Sequence, residues 1–372
     1  MGFKKYQVGV IGATGMVGQR FVQLLREHPW FEVKVLAASG RSAGKTYEEV
    51  LNERNITCDW IPEHIRSIVI QDAVTDAEKI ANDVDFVFCA IDIPKDQTRE
   101  LEERYAKLEC PVISNNSANR GMADVPMMIP EINPEHANII PAQQKRLGTS
   151  RGFIAVKSNC SLQSYVPAVH PLWDLGVEKI ATCTYQAISG AGKTFDTWPE
   201  MVGNVIPFIG GEEEKSQVEP LKIWGTVTGD KIVNAASPNI TAQCLRVPVV
   251  DGHFAATFIT LEKKTSPQDI IARWNSFEGE PQILKLPSAP KKMLYYFEED
   301  NRPQVTLDVN LESGMAVSIG RLRKDTLFDY KFVSLSHNTL RGAAGGAVLM
   351  AELLCAEPPK GSPRTFAPNM YK

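Results

Sequence analysis

No Cys-x-x-Cys pair occurs in the 372 residues, and the seven cysteines, at positions 58, 89, 110, 160, 183, 244 and 355, are odd in number and scattered. That pattern argues against both a disulfide framework and a zinc site, and it fits a reducing compartment. No apolar run approaches the roughly 18 residues of a membrane span. With 40 Lys and Arg against 44 Asp and Glu the net charge is −4, and no long basic block is present. Neither nucleic acid nor an acidic membrane surface is therefore an expected partner. Met1-Gly2 leads through Lys4-Lys5 into a strand with no apolar signal region, and Tyr6 stands where a myristoylation signal needs Ser or Thr. The chain reads as cytoplasmic. Internal repeats and low-complexity tracts are also missing.

The length exceeds what one hydrophobic core usually supports, so two domains are expected, and 43% hydrophobic with 23% charged residues is an ordinary globular composition. Tyr6 to Ile11 is a short apolar run of the kind buried in a parallel sheet. It leads into Gly12-Ala13-Thr14-Gly15-Met16-Val17-Gly18, after which Val17, Phe21, Leu24, Leu25 and His28 mark one face of a helix closed by Pro29. Phe31 to Leu36 then alternates as a second strand. A glycine-spaced turn alone is weak evidence, but between a strand and a helix it predicts a dinucleotide site, with the N–H groups of Thr14 to Val17 facing a pyrophosphate and Gly18 allowing close packing.

About 20 residues beyond such glycines an NAD site places an acid on the ribose. Here the sequence offers Ser39, Arg41 and Ser42 and no carboxylate, which suits the 2′-phosphate of NADP. Strands expected at Ser67 to Ile70, Val84 to Ala90 and Pro111 to Ser114, with a charged helix from Lys95 to Lys107, complete a Rossmann-type doubly wound parallel sheet. The stretch from Asn115 to Gly152, with four prolines and several polar runs, reads as a long interdomain passage outside the core. Arg120 is its most informative cation.

Cys160, in Ser158-Asn159-Cys160-Ser161, falls between an extended approach and a helical stretch. A helix N-terminus favours a thiolate and can bring a thiol from about 8.5 into the neutral range. By itself one cysteine among seven is more often a small buried hydrophobe than a nucleophile. Further on, Glu178 to Gln186 is a strand ending in the turn Ser189-Gly190-Ala191-Gly192. Glu212 opens a polar helix carrying Glu219 and Lys222, read as a solvated face. Arg246 and His253 bracket an apolar segment before a strand from Phe254 to Leu261, and Ser266-Pro267-Gln268-Asp269 starts a capped helix. Strands at Gln304 to Val309, Met315 to Leu322 and Tyr330 to Leu335 predict a mostly antiparallel sheet whose broad face could meet a second subunit. The small-residue helix after Asn338 should return to the first domain.

Together these segments resemble the aspartate-semialdehyde dehydrogenase family, in its archaeal and fungal branch. The matching stretches are Gly12 to Gly18, Ser158 to Ser161, Gln186 to Gly192, Arg246 to His253 and Asn338 to Gly346, in the family's order and spread over essentially the whole chain. The resemblance implies NADPH-dependent reduction of β-aspartyl phosphate to aspartate β-semialdehyde with release of phosphate, on the route to lysine, threonine and methionine. It implies Cys160 as nucleophile, Gln186 as its positioning partner, His253 as acid/base and Arg246 on the substrate carboxylate. Asn159, Arg120 and Lys222 fall on the phosphate side and Glu219 on the ammonium. Gly12, Thr14, Gly15, Met16, Val17, Ser39, Arg41, Ser42, Ser189, Gly190 and Asn338 fall on NADP, and no metal is implied. The expected fold is α/β: a Rossmann-type NADP-binding domain over 1–156, completed by 338–372, and an α+β catalytic and dimerisation domain over 157–337, assembled as a homodimer or homotetramer. The competing readings are a CoA-thioester reductase such as malonyl-CoA reductase, a cofactor-binding regulatory protein, and a cysteine hydrolase.

Overall fold

The structure, a computed structural model, describes residues 5–371. The N-terminal segment read above as free of a signal lies mostly outside the described residues, as do the outermost ends of the two expected domains. Seven strands form one wholly parallel sheet: β1 (Tyr6–Ile11), β2 (Phe31–Ala38), β3 (Gln71–Asp72), β4 (Phe86–Cys89), β5 (Val112–Ser114), β6 (Met127–Met128) and β7 (Ile154–Lys157), in the order β3-β2-β1-β4-β5-β7-β6. β1 lies centrally because Val8, Val10 and Ile11 are buried among neighbours on both sides.

The helix Met16–Leu25 buries Gly18, Phe21, Val22 and Leu25, slightly rotated from the predicted face. The cause is Gly18, whose absent Cβ would lie 2.0 Å from the carbonyl oxygen of Gly12. Gly12 itself has φ +87 and lies tightly against Ala90. Both positions require glycine for physical reasons.

Two strands, β9 (Thr226–Thr228) and β10 (Lys231–Val233), form a small hairpin. The second large sheet contains β8 (Val177–Gln186), β11 (Asn239–Arg246), β12 (His253–Leu261), β13 (Leu294–Phe297), β14 (Val317–Lys324) and β15 (Tyr330–Ser336), ordered β11-β8-β12-β15-β14-β13. It is mixed: β8/β12, β12/β15 and β14/β15 are antiparallel, while β11/β8 and β13/β14 are parallel. The parallel β11/β8 pairing sets Arg246 opposite Gln186, and antiparallel β12 begins with His253 at the same end. Topology alone thus gathers three of the predicted residues.

Three expectations need correction. Ser67 to Ile70 is not a strand; Val69 makes one isolated bridge to Thr46, and pairing begins only at Gln71. Gln304 to Val309 contains the short helical turn Val305–Asp308, held where the Asp308 carboxylate accepts the Gln304 N–H at 2.6 Å. The stretch from Asn115 to Gly152 is largely core: Val125, Met127, Met128, Ile129 and Ile140 are buried, and it contains β6 and the helix Ile140–Leu147. Gln143, which read as surface, is buried because its amide bonds the backbone of Asp124 and Ile154.

The final helix, Gly345–Cys355, is buried on nearly all sides and packs against Met16–Leu25, β5 and β7. His28 Nε2 lies 2.7 Å from Glu352 on this helix, and the Tyr6 ring stacks on Tyr371 with centroids 3.9 Å apart. No helix among the described residues is long and apolar enough to cross a membrane.

Candidate active site

Cys160 lies just before the helix Leu162–Val169 and is half-buried. Its Sγ is 3.4 Å from His253 Nε2. The N–H of Ala187 donates to His253 Nδ1 at 3.1 Å, so in the neutral ring the hydrogen sits on Nε2 and points at the sulfur. Burial, and then the Arg246 guanidinium, lower the His253 pKa to about 3, which keeps the ring neutral. In this arrangement His253 donates to the sulfur and does not accept its proton. The helix start does not win at Cys160 either. Burial first, and the Glu212 carboxylate second, push the thiol above its ordinary value, against the opposing pull of Lys157, Arg120 and Arg246. The expectation of a lowered thiol pKa is therefore corrected: one turn of helix dipole is weaker than desolvation plus a nearby carboxylate.

Arg246 donates to the carbonyl of Ala187 at 2.7 Å. Gly190 backs both this arginine and the histidine, since a Cβ there would come within 2.9 Å of Arg246 Nη1 and 3.1 Å of His253 Nε2. Gln186 does not bond Cys160; its Nε2 lies 3.3 Å from both Thr184 Oγ1 and Glu212 Oε2.

The helix Glu212–Ile223 departs most from the sequence reading. Glu212, Ser216, Glu219 and Lys222 are buried, so the face read as solvated is an inward polar face. Their spacing of four, three and three residues is a single helical stripe, a signal that was available in the sequence. Glu219 accepts the backbone N–H of Asn159 at 2.7 Å and pairs with Arg120 Nη1 at 3.2 Å. Lys222 donates to the carbonyls of Arg120, Met122 and Val125 at 2.6–2.8 Å, which uses all three of its N–H bonds. It ties down the Arg120 loop and leaves no donor for a phosphate, although burial lowers its pKa to about 8. Asn159 is held as well, its Nδ2 shared between the two oxygens of Glu212 and its Oδ1 accepting from Ser161. Arg120, Glu219, Lys222 and Lys215 line one open cleft of ≈ 790 Å³.

Sequence reasoning also missed Lys157. It is 1% exposed, its Nζ meets only the Ser158 carbonyl among the described residues, and burial lowers its pKa to about 7.

At the other end, the helix Met16–Leu25 has Gly15 at its N-cap with no side-chain cap, which leaves first-turn N–H groups open to an anion. Ser39 and Arg41 are exposed and Ser42 buried in the turn after β2. Ser189 bonds Asn338 at 2.8 Å and Asp251 at 2.7 Å, and Asn338 accepts from Gly252. Asp251 reaches Arg20 across the domains at 3.7 Å. Met16 and Ser189 line one open cleft, so the start of the helix Met16–Leu25 and the second-domain turn face the same space. The residues present fit a dinucleotide.

Residues 7–140 match the semialdehyde dehydrogenase NAD binding domain and residues 169–341 the semialdehyde dehydrogenase dimerisation domain. The chain is 44% identical over 350 residues to the aspartate-semialdehyde dehydrogenase of Methanothermobacter thermautotrophicus, covering 93% of this chain and 98% of that one. The chain belongs to the semialdehyde dehydrogenase family. The corresponding Saccharomyces cerevisiae enzyme is 38% identical, with 94% and 97% covered. Among solved structures, the Candida albicans aspartate-semialdehyde dehydrogenase with NADP superposes with a TM-score of 0.83 at 34% identity, over 95% of this chain and 99% of that one. A semialdehyde dehydrogenase fold therefore spans both large sheets.

Proposed function

We propose that the chain is an NADP-dependent aspartate-semialdehyde dehydrogenase, reducing β-aspartyl phosphate to aspartate β-semialdehyde with release of phosphate. The observation that carries this reading is the approach of Cys160 Sγ to His253 Nε2 at 3.4 Å, beside Arg246, in a chain of this family. The Cys160 sulfur attacks the acyl carbon, the carbon–oxygen bond to the phosphate breaks, the thiol proton leaves on the departing phosphate as hydrogen phosphate, and a thioester forms. NADPH, when bound, supplies the hydride that reduces this thioester. His253 Nε2–H is a fixed donor for the sulfur and for negative charge growing on the adjacent oxygen. Arg246 clamps the α-carboxylate through the N–H groups that Ala187 leaves free, Arg120 receives the phosphoryl group, and Glu219 the ammonium. Gln186 borders the same end of the sheet. Lys222 and Asn159 support the site from behind and do not touch phosphate.

Gly12, Thr14, Gly15, Met16 and Val17 would hold the pyrophosphate, Ser39, Arg41 and Ser42 the 2′-phosphate, and Ser189, Gly190 and Asn338 the far side of the cofactor. The outer face of the second sheet supports self-association: Cys183, Tyr185, Phe254, Ala256 and Phe258 form a half-buried, largely apolar patch on it. We assign a cytoplasmic homodimer or homotetramer, and Phe258→Lys should yield monomers by sedimentation if this face is the interface.

The deciding assay is reduction of NADP⁺ with aspartate β-semialdehyde. Activity that depends on phosphate or arsenate is expected. Efficient reduction of malonyl-CoA with no such activity would favour the CoA-thioester reductase instead.

A further inference from the structure

Glu212 has no place in the chemistry above, yet its side chain lies at the centre of the site's hydrogen bonds. Its two carboxylate oxygens each accept from Asn159 Nδ2 at 3.0 Å, Oε2 accepts from Gln186 Nε2 at 3.3 Å, and Oε1 pairs with Lys215 at 2.8 Å. Burial works against its charge, but Lys215 and then the two amides more than offset that, and the carboxyl stays below its ordinary range.

A carboxylate here is a liability for a nucleophilic cysteine. Of the side chains acting on the Cys160 thiol, Glu212 opposes ionisation while Lys157, Arg120 and Arg246 favour it. A residue serving thiol activation would carry the opposite sign. The geometry supplies a different use. An amide can be turned either way, and only its partners decide which end faces where. Glu212 takes the N–H ends of two amides, that of Asn159, next to Cys160 in the chain, and that of Gln186, paired with Arg246 at the end of the sheet. This leaves Asn159 Oδ1 to hold the Ser161 N–H at 2.8 Å and hydroxyl at 2.7 Å. Among the described residues Gln186 Oε1 then has no hydrogen bond of its own. Seven residues on, Glu219 holds the Asn159 backbone N–H, so one helix face grips the cysteine loop with two carboxylates.

We propose that Glu212 is a positioning residue that sets the orientation of the Asn159 and Gln186 amides at the Cys160 site. This rests on the reading of Cys160 as nucleophile.

The test compares Glu212→Gln with the parent enzyme in two measurements: iodoacetamide labelling of Cys160 against pH, located by mass spectrometry, and steady-state turnover. Loss of the negative charge should move the labelling profile to lower pH and speed labelling at neutral pH. Loss of the double acceptor should lower kcat at least about tenfold with little change in the KM for NADP. Faster labelling with slower turnover is a signature that general loosening of the site does not give. Unchanged kcat, or slower turnover without faster labelling, overturns the proposal. Should Glu212→Gln not fold, Lys215→Met decides: removing the cation that screens Glu212 should move labelling to higher pH, and no movement overturns the proposal. If Cys160→Ala retains turnover, the nucleophile reading has failed instead, and that result is separate from either outcome.

Discussion

The cofactor end and the reacting end of this molecule are built by opposite strategies. The first is local: strand, glycine turn and helix lie between Tyr6 and Leu25, and its tight fits, Gly18 on Gly12 and Gly12 on Ala90, are contacts of backbone with backbone. The second gathers Arg120, Cys160, Gln186, Glu212, Arg246 and His253 from separate segments and holds them by buried charges and amides. A local site depends on backbone shape. A dispersed site depends on every buried polar group finding a partner, because an unpaired one costs about 1–3 kcal/mol.

The sharpest contrast is expected at Cys160. Cys160→Ala should reduce turnover to background while leaving NADPH binding and the melting temperature close to those of the parent, because among the described residues the thiol's one polar contact is with His253. Residual turnover at even one part in a hundred would mean that another group carries the chemistry.

Next in size is Lys222→Met. Three carbonyls lose their shared donor, so unfolding free energy should fall by about 3 kcal/mol or more in denaturant titrations. A rise in the KM for phosphate with unaltered stability would instead make Lys222 a ligand contact.

Gly190→Ala tests whether the reacting end tolerates crowding. The new Cβ would press on Arg246 and His253, so kcat should drop by roughly one to two orders of magnitude with stability preserved. Gly18→Ala, which forces backbone from backbone, should do the reverse and lower stability and NADPH affinity together. If the two variants behave alike, the distinction between the ends is wrong.

The smallest effect belongs to Arg41→Ala, an exposed contact. The KM for NADP should rise about tenfold, in line with a charge-assisted bond of about 1.5 kcal/mol, and that for NAD should barely move. Equal losses with both would make Arg41 structural.

The same contrast explains what could be read in advance. The glycine turn, the Lys95–Lys107 helix and the Ser266 cap were legible because their causes lie within a few residues; the Ser266 and Asp269 side chains close a capping box as their spacing predicts. The order of motifs gave the family and, through it, Cys160, Arg246 and His253. The inward face of Glu212–Ile223 was misread because charge was equated with exposure, although its helical stripe was present. The passage from Asn115 to Gly152 was misread because prolines and polar residues were taken as surface, when Gln143 and Asn133 satisfy buried backbone there. The direction of the thiol pKa was out of reach of sequence altogether, since it follows first from burial and then from a carboxylate 52 positions away in the chain, both supplied by folding.

The pairing of His28 with Glu352, 324 positions apart, bears on how the chain is made. The helix that covers one face of the first sheet is synthesised long after the strands it covers. At about 5–20 residues per second, the ribosome needs roughly 16–65 s after His28 before Glu352 exists. Throughout that interval the apolar surface later covered by Val348, Leu349 and Leu353 is bare, so the nascent first domain is a natural client for chaperones, and its completion waits on residues made more than 300 positions later.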